Sequence, residues 1–549
     1  TRFDGTPDQH EVPELSESVA LLVSLTEESD TAAEIDNVSK FCDSLGEYPP
    51  IILLSPDSNV NTRLAAVRAG ASALLMRPVS MLDLVDTLDP LSEQSSADPF
   101  RVLIIDDDPR KRRLRVHGTR VRGTFNNCAG GTTPWGTVLS GEENFNQYFK
   151  AAGTPEQQRY GIGGSGDFRG WANIDPRYDG VANPGYANEP NRFGWIVEID
   201  PEDPTSTPVK HTALGRFKHE GANVHVGRDG HVVAYMGDDE RFDYLYKFVS
   251  KHTMRPGSSA GARAFNKTLL SEGDLFVARF DGDSSAAEIP GDGTLPSDGE
   301  FDGSGVWIPL VVDGESKVSG MTTAEVLVHT RLAGDAVGAT KMDRPEDVEP
   351  NPVTGRVYIA CTNNTNRGIG DHPKADEANP RTRNRYGHVI ELTEAGGDVT
   401  ATTFGWSILI VAGDPATDPT TYFAGFPPAK VSPISCPDNV AFDADGTLWI
   451  STDGQPGTIG LCDGLFKVPL TGAERGHVQQ FLSVPREAET CGPVIHDRDG
   501  SVFVAVQHPG EDGDWSDQHS FFPDYVAPGT LSGGKWGEPR PSVIQVVRD

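Results

Sequence analysis

The chain has 549 residues, with 47 Lys and Arg against 80 Asp and Glu, for a formal net charge of -33. Such a surface repels nucleic acid and anionic membranes, and no apolar run approaches the roughly eighteen residues a membrane helix needs. The 60 glycines and 41 prolines punctuate short apolar runs. This favours β-rich architecture over a helical bundle, and the length suggests either several domains or one large propeller or barrel with an appendage.

The first 108 residues read as alternating strands and helices. Val19-Ala20-Leu21-Leu22-Val23, Ile51-Ile52-Leu53-Leu54-Ser55 and Ala73-Leu74-Leu75-Met76 are short apolar strands, and Asn61 to Gly70 has the pattern of a short helix with its closing glycine. Strands alternating with helices predict a parallel α/β sheet. These features, with Ala69-Gly70-Ala71 and Arg77-Pro78, resemble the receiver domain of bacterial response regulators. Ser24 and Thr26 stand where that family has its phosphate-accepting aspartate, so no phosphorylation is expected. Arg101 to Ile105 followed by Asp106-Asp107-Asp108-Pro109 resembles the opening strand and acidic pair of a second receiver. The piece is therefore a partial, degenerate receiver. The basic run Arg110-Lys111-Arg112-Arg113-Leu114-Arg115 reads as a junction over 109–115, since a chain this acidic does not support a nucleic-acid reading.

Beyond residue 115 the pattern changes to turns and strands. Asn126-Asn127-Cys128-Ala129-Gly130-Gly131 sets one thiol among backbone-permissive glycines, fifteen residues ahead of Glu143. A thiol and carboxylates on rigid turns point to metal ligation more than to packing. The other cysteines, Cys42, Cys361, Cys436, Cys462 and Cys491, form no CxxC pair and are too sparse for a disulfide scaffold. They read as packing residues or a stray disulfide.

One unit then recurs. His219-Glu220-Gly221 leads to Asp229-Gly230, Arg344-Pro345-Glu346 to Thr354-Gly355, Cys436-Pro437-Asp438 to Asp445-Gly446, and Cys491-Gly492-Pro493 to Asp499-Gly500. Each predicts a hairpin whose turn glycine takes positive φ, followed by a β-branched strand. Repeated hairpins suggest propeller blades, with long insertions over 250–340 and 365–430. Glu220, Glu346 and Asp438 occupy matching places, ahead of the first strand. Successive blades encircle one axis, so these acids would converge at a channel mouth. Like charges so placed call for a hard cation such as Ca²⁺ or Fe³⁺.

Together with Ser140-Gly141-Glu142-Glu143-Asn144, Thr452-Asp453-Gly454 and Gln507-His508-Pro509-Gly510-Glu511, these motifs resemble, in order over 116–549, the PhoX family of bacterial alkaline phosphatases. The resemblance implies a monomeric six-bladed β-propeller that hydrolyses phosphomonoesters at a cluster of Fe³⁺ and Ca²⁺. It places Cys128 as a thiolate on iron, Glu220 and Asp438 as iron or calcium carboxylates, and Glu143 and Glu346 on calcium, with Arg344 meeting the substrate phosphate. It also implies a periplasmic or secreted enzyme, although no charged-then-apolar leader precedes Thr1. In the family a segment upstream of the cysteine contributes to the propeller, and here the receiver-like piece stands in its place. The fold class expected is therefore all-β, a six-bladed-type propeller lacking its first segment, over 116–549, preceded by the α/β fragment 1–108. Two other readings compete: a calcium-dependent lactonase-type propeller hydrolase, and a non-catalytic metal-binding propeller. Trp135 is expected in the core, His219 and His508 are open between supporting the ligands and a purely structural role, and Asp347, Glu349 and Asp453 are open between being ligands and holding loops.

Overall fold

The structure is a computed structural model. It describes residues 18–24, 35, 40, 51–55, 60–69, 71–76, 101–105 and 121–547, apart from 165–166, 515 and 525–537. Thr26, Cys42, Arg77-Pro78, Asp106 to Asp108 and the basic run 110–115 lie outside the described residues. The chain divides into two compact units, Thr1–Gly123 and Thr124–Asp549.

Among the described residues, the first unit contains four parallel strands, β1 (Ser18–Ser24), β2 (Ile51–Ser55), β3 (Ala73–Met76) and β4 (Arg101–Ile105), in the order β3-β2-β1-β4. A helix, Val60–Arg68, connects β2 to β3. Ile51, Ile52 and Leu53 are all buried, consistent with a parallel strand covered on both faces. The run Arg101–Ile105 adds beside β1, parallel to it.

The second unit is antiparallel. It begins with a three-stranded sheet of β5 (Val138–Gly141), β6 (Ile196–Ile199) and β7 (Val209–His211). An eleven-stranded sheet follows. Its strands are β8 (Asn223–Val226), β9 (His231–Gly237), β10 (Leu245–Thr253), β11 (Gly273–Gly282), β12 (Asp302–Val312), β13 (Glu315–Ser316), β14 (Pro345–Pro350), β15 (Val357–Cys361), β16 (His388–Glu394), β17 (Thr403–Val411) and β18 (Tyr422–Phe423). A four-stranded sheet holds β19 (Pro437–Phe442), β20 (Leu448–Thr452), β21 (Gly464–Val468) and β22 (Gln479–Ser483). The last sheet holds β23 (Glu489–His496), β24 (Ser501–Gln507) and β25 (Ser542–Val547).

The four repeats become the hairpins β8–β9, β14–β15, β19–β20 and β23–β24. Their turn glycines Gly230, Gly355, Gly446 and Gly500 have φ of 91°, 71°, 79° and 68°, the left-handed region expected of them. The first strands are neighbours in sequence order: β14 packs on β8 and β19, and β19 on β23. Glu220 precedes β8 as expected, but Glu346 and Asp438 sit inside β14 and β19, each the second residue of its strand.

The insertions do more than lengthen loops. β12 pairs with β11 along its length, and its first residues, Asp302 to Val306, also pair with Thr403 to Ser407 of β17. Two units that read as separate in sequence thereby share one sheet. Its main path, β14-β15-β16-β17-β12-β11-β10-β9-β8, nearly closes, because β14 also lies against β8 and β9.

Gly237, the last residue of β9, is where this closure is tightest. A Cβ built there would lie 2.1 Å from the Glu346 carbonyl oxygen and 2.3 Å from that of Pro345. Backbone cannot yield as a flexible side chain does. Gly237→Ala is therefore expected to lower stability by about 1–3 kcal/mol, read from the midpoint of urea unfolding. An unchanged midpoint would mean that β9 and β14 do not meet there.

Candidate metal centre

Cys128 is delivered by a narrow hairpin-like loop. Cys128 N–H donates to Gly141 O (2.9 Å), Gly141 N–H to Ala129 O (2.9 Å) and Leu139 N–H to Gly131 O (2.8 Å). Glycine is required where this loop backs onto the next element. A Cβ on Gly141 would lie 2.3 Å from His219 O and 2.7 Å from Glu220 O. The close approach brings Cys128 Sγ within 3.1 Å of Glu220 Oε1.

Glu142 pins the same loop. It is buried, and its carboxylate accepts hydrogen bonds from Thr124 Oγ1 (2.7 Å), Phe125 N (3.2 Å), Gly194 N (3.0 Å), Trp195 N (3.2 Å) and Lys210 Nζ (2.7 Å). Glu142 is thus spent on structure, and its neighbour Glu143 is the acid that faces the site. Asn126 Nδ2 and Asn144 Nδ2 both donate to the Glu143 carboxylate, the former at 3.1 Å.

The expected residues come together. Cys128, Glu143 and Glu220 form one group whose donor atoms all lie within 4.8 Å of one another, and Glu220, Glu346 and Asp438 form a second on the same criterion. Glu220 belongs to both. Glu143, Glu220, Glu346 and Asp438 are all buried, whereas Cys128 is exposed as a residue.

The electrostatics are those of crowded acids. Burial pushes the Cys128 thiol well up, and the carboxylates of Glu220, Glu143 and Asp438 add to it. Burial, then Asp239, pushes Glu220 up to about 8. Glu143 and Glu346 are raised well above the carboxylate range by burial and then by Asp239, and Asp438 by burial and then Glu220. An oxygen-rich set with one thiol fits a hard or borderline cation, so the chemistry of these residues is compatible with a bound metal ion.

Arg344 supplies positive charge beside them. Its Nε and Nη2 donate to Asp239 Oδ1 (2.8 Å) and Oδ2 (2.9 Å), and Nη2 lies 2.9 Å from Glu346 Oε1. Burial opposes the Asp239 charge, but Arg344 outweighs it and holds that carboxyl at about 2. Arg344 has φ 55°, and Cys436, at the same place in its own hairpin, has φ 52°. In both, a left-handed residue precedes proline and then the acid. Such backbone costs about 1–3 kcal/mol and persists where surrounding structure enforces it.

Sequence reasoning missed Asp239. A signal existed: the acids that open the first strands have partners at the far ends of the second strands, and an antiparallel hairpin brings these together. His219 bridges to Asp238, and Pro437 pairs with Thr452, next to Asp453. Trp135 is buried, and its Nε1 donates to Glu198 (2.8 Å). His219 is buried against Phe217, with Nε2 2.9 Å from Gly215 O, and burial lowers its pKa to about 3. Asp347 joins three first strands, accepting from Asn223 Nδ2 (3.0 Å), Val348 N (2.9 Å) and Val440 N (3.1 Å). His508 lies 3.1 Å from Glu489, and that bond, with Glu511 nearby, raises its pKa to about 9. Among the described residues, Cys128, Cys361, Cys436, Cys462 and Cys491 are all free thiols.

A thiol, convergent carboxylates and an arginine at the end of a nearly closed antiparallel sheet define a metal-dependent hydrolase acting on an anionic ester. A family model, alkaline phosphatase PhoX, matches residues 109–510, and the chain belongs to that family. It is similar to the solved structure of Pseudomonas fluorescens PhoX in complex with vanadate, a transition state analogue. That match has 38% identity and a TM-score of 0.65, and covers 79% of this chain and 71% of that one. A second structure, a PL25 polysaccharide lyase (ulvan lyase) bound to its saccharide, aligns at 9% identity over 57% of this chain and 67% of that one. Its TM-score of 0.22 carries no argument. No curated protein sequence matches. The chain is therefore a metal-dependent phosphoric monoester hydrolase, and the lactonase-type alternative is not favoured.

The raised acids set the pH behaviour of metal-free protein. A folded pKa near 8 for Glu220 means that the folded chain keeps a proton the unfolded chain loses near 4.5. The stability this contributes is full below the unfolded value and is lost as pH rises through the folded one. The unfolding midpoint of metal-stripped protein should fall between about pH 5 and about pH 9, and added calcium should restore it. A flat profile in thermal unfolding across that range would contradict the crowding.

Proposed function

We propose that this chain hydrolyses phosphomonoesters with ferric iron and calcium held by Cys128, Glu143, Glu220, Glu346 and Asp438, and with Arg344 binding the substrate phosphate. The observation that carries this reading is the pair of donor groups joined by Glu220. A thiolate suits iron and the carboxylates suit either cation. Cations bound there supply Lewis-acid neutralisation of the charge that builds on the transferring phosphoryl oxygens. The protein's own part is positioning. Asp239 engages Nε and Nη2 of Arg344, which orients the planar fork and leaves Nη1 to donate to a phosphate oxygen. The relative's complex with vanadate supports a phosphoryl-transfer site.

In the same reading the second unit is a propeller of the six-bladed type, and the sequential packing of β8, β14, β19 and β23 supports this. The enzyme acts as a monomer outside the cytoplasm, and residues 1–108 are a degenerate receiver piece, supported by their four parallel strands.

Purified protein should contain both iron and calcium by elemental analysis and should turn over p-nitrophenyl phosphate. Cys128→Ala should lose iron and activity together. Arg344→Ala should keep its metals while kcat/KM falls roughly 100-fold, the loss expected of one charged phosphate contact. Active protein containing neither metal would overturn the assignment.

A further inference from the structure

Arg344 has to hold a left-handed φ of 55°, and the residues that hold it lie in the insertion between β15 and β16. Its carbonyl accepts from Thr362 N (3.1 Å), and Pro345 restricts the chain after it. On the other side is Asp343, fully buried. One Asp343 oxygen accepts from Arg367 Nε (2.5 Å) and the other from Asn384 Nδ2 (3.0 Å). Arg367 is itself buried, with Nη1 donating to Lys374 O (3.0 Å) and Nη2 to Lys341 O (2.5 Å).

Asn384 is fixed in turn. It is buried, its Oδ1 accepts from Gly387 N (3.0 Å), and its backbone oxygen accepts from Asn364 N (2.7 Å). Gly387 has φ 79°, and a Cβ there would lie 2.4 Å from the carbonyl oxygens of Cys361 and Thr362 and 2.8 Å from Pro437 Cδ. The segment Asn384 to Gly387 is therefore packed close against the backbone of Cys361 and Thr362, beside the turn it braces. The Asp343 carboxylate is caught between a rigid guanidinium and a rigid amide, immediately before the strained residue.

We propose that Asn384, acting through Asp343, is a positioning residue for Arg344 and fixes where its guanidinium meets the substrate phosphate. This rests on the reading of Arg344 as the phosphate-binding cation. Asn384 has no place in either donor group, so its contribution is to capture of the phosphate and not to retention of metal.

The test compares metal-loaded wild type, Asn384→Ala, Arg344→Ala and the double variant, using p-nitrophenyl phosphate turnover, inhibition by inorganic phosphate and elemental analysis. Asn384→Ala should raise KM and the phosphate inhibition constant about tenfold, with kcat within about twofold and metal content unchanged. In the Arg344→Ala background the same substitution should change both constants less than about twofold, since neighbours acting through one group are not additive. An unchanged KM in Asn384→Ala, an equal rise in the Arg344→Ala background, or loss of metal would overturn the proposal. If Arg344→Ala alone leaves both constants unchanged, the reading of Arg344 falls and the proposal with it. If that variant is impaired while the two substitutions add independently, only the proposal falls. Should Asn384→Ala fail to fold, Asn384→Ser, which keeps a small polar group too short to brace Asp343, carries the same comparison.

Discussion

Repulsion among buried acids is the constraint on which the second unit depends. Glu143, Glu220, Glu346 and Asp438 are packed with the Cys128 thiol; burial raises the proton affinity of all five, and the Glu220 carboxylate adds to it in the other four. Protonation relieves that cost in the metal-free chain, and a bound cation would take the place of the protons. The surrounding backbone is therefore committed to holding them against their own repulsion. Gly141 lets the Cys128 loop touch the backbone at His219 and Glu220, Gly237 lets β9 touch β14, and Asp347 ties β8, β14 and β19 together.

The same constraint explains how an acidic chain handles an anionic substrate. The net charge of -33 is spread over a surface that favours solubility, while the site concentrates acids beside one guanidinium. Asp239 lies between the two. It stays charged because Arg344 compensates it, and it adds to the raised proton affinity of Glu143, Glu220, Glu346 and Asp438. Asp239 thus divides the site into a part that calls for cations and a part that offers one.

Much of this was legible in the residues. Asp-Gly and Thr-Gly pairs marked the hairpins, and their glycines do take positive φ. Glu220, Glu346 and Asp438 announced themselves by matching positions within a repeat, which works because a repeat converts sequence spacing into spatial equivalence, whereas Cys128 stood out by its glycine-rich loop ahead of Glu143. What stayed hidden depends on pairing across long separations. Asp239 reads locally as one acid in the run Asp238-Asp239-Glu240, and only the antiparallel register of β8 and β9 brings it to the site. Glu142 and Glu143 are chemically alike and adjacent, and which of them is spent on backbone donors is decided by Phe125, Gly194 and Trp195. The shared sheet was also invisible, because β12 reads as one ordinary strand and nothing local says that it serves two neighbours.

The turn that precedes Glu346 recurs before Asp438, with Arg344 and Cys436 as the left-handed residues. In both, the left-handed residue and the proline after it lead the chain into the strand that carries the acid. That position works as a mount whose occupant is free to differ between repeats. In one copy the occupant is a guanidinium that reaches the acids; in the other it is a buried thiol that donates to backbone at Arg385 O. Symmetry in the scaffold therefore permits division of labour in the site, since the same turn carries a cation in one repeat and a thiol in the other.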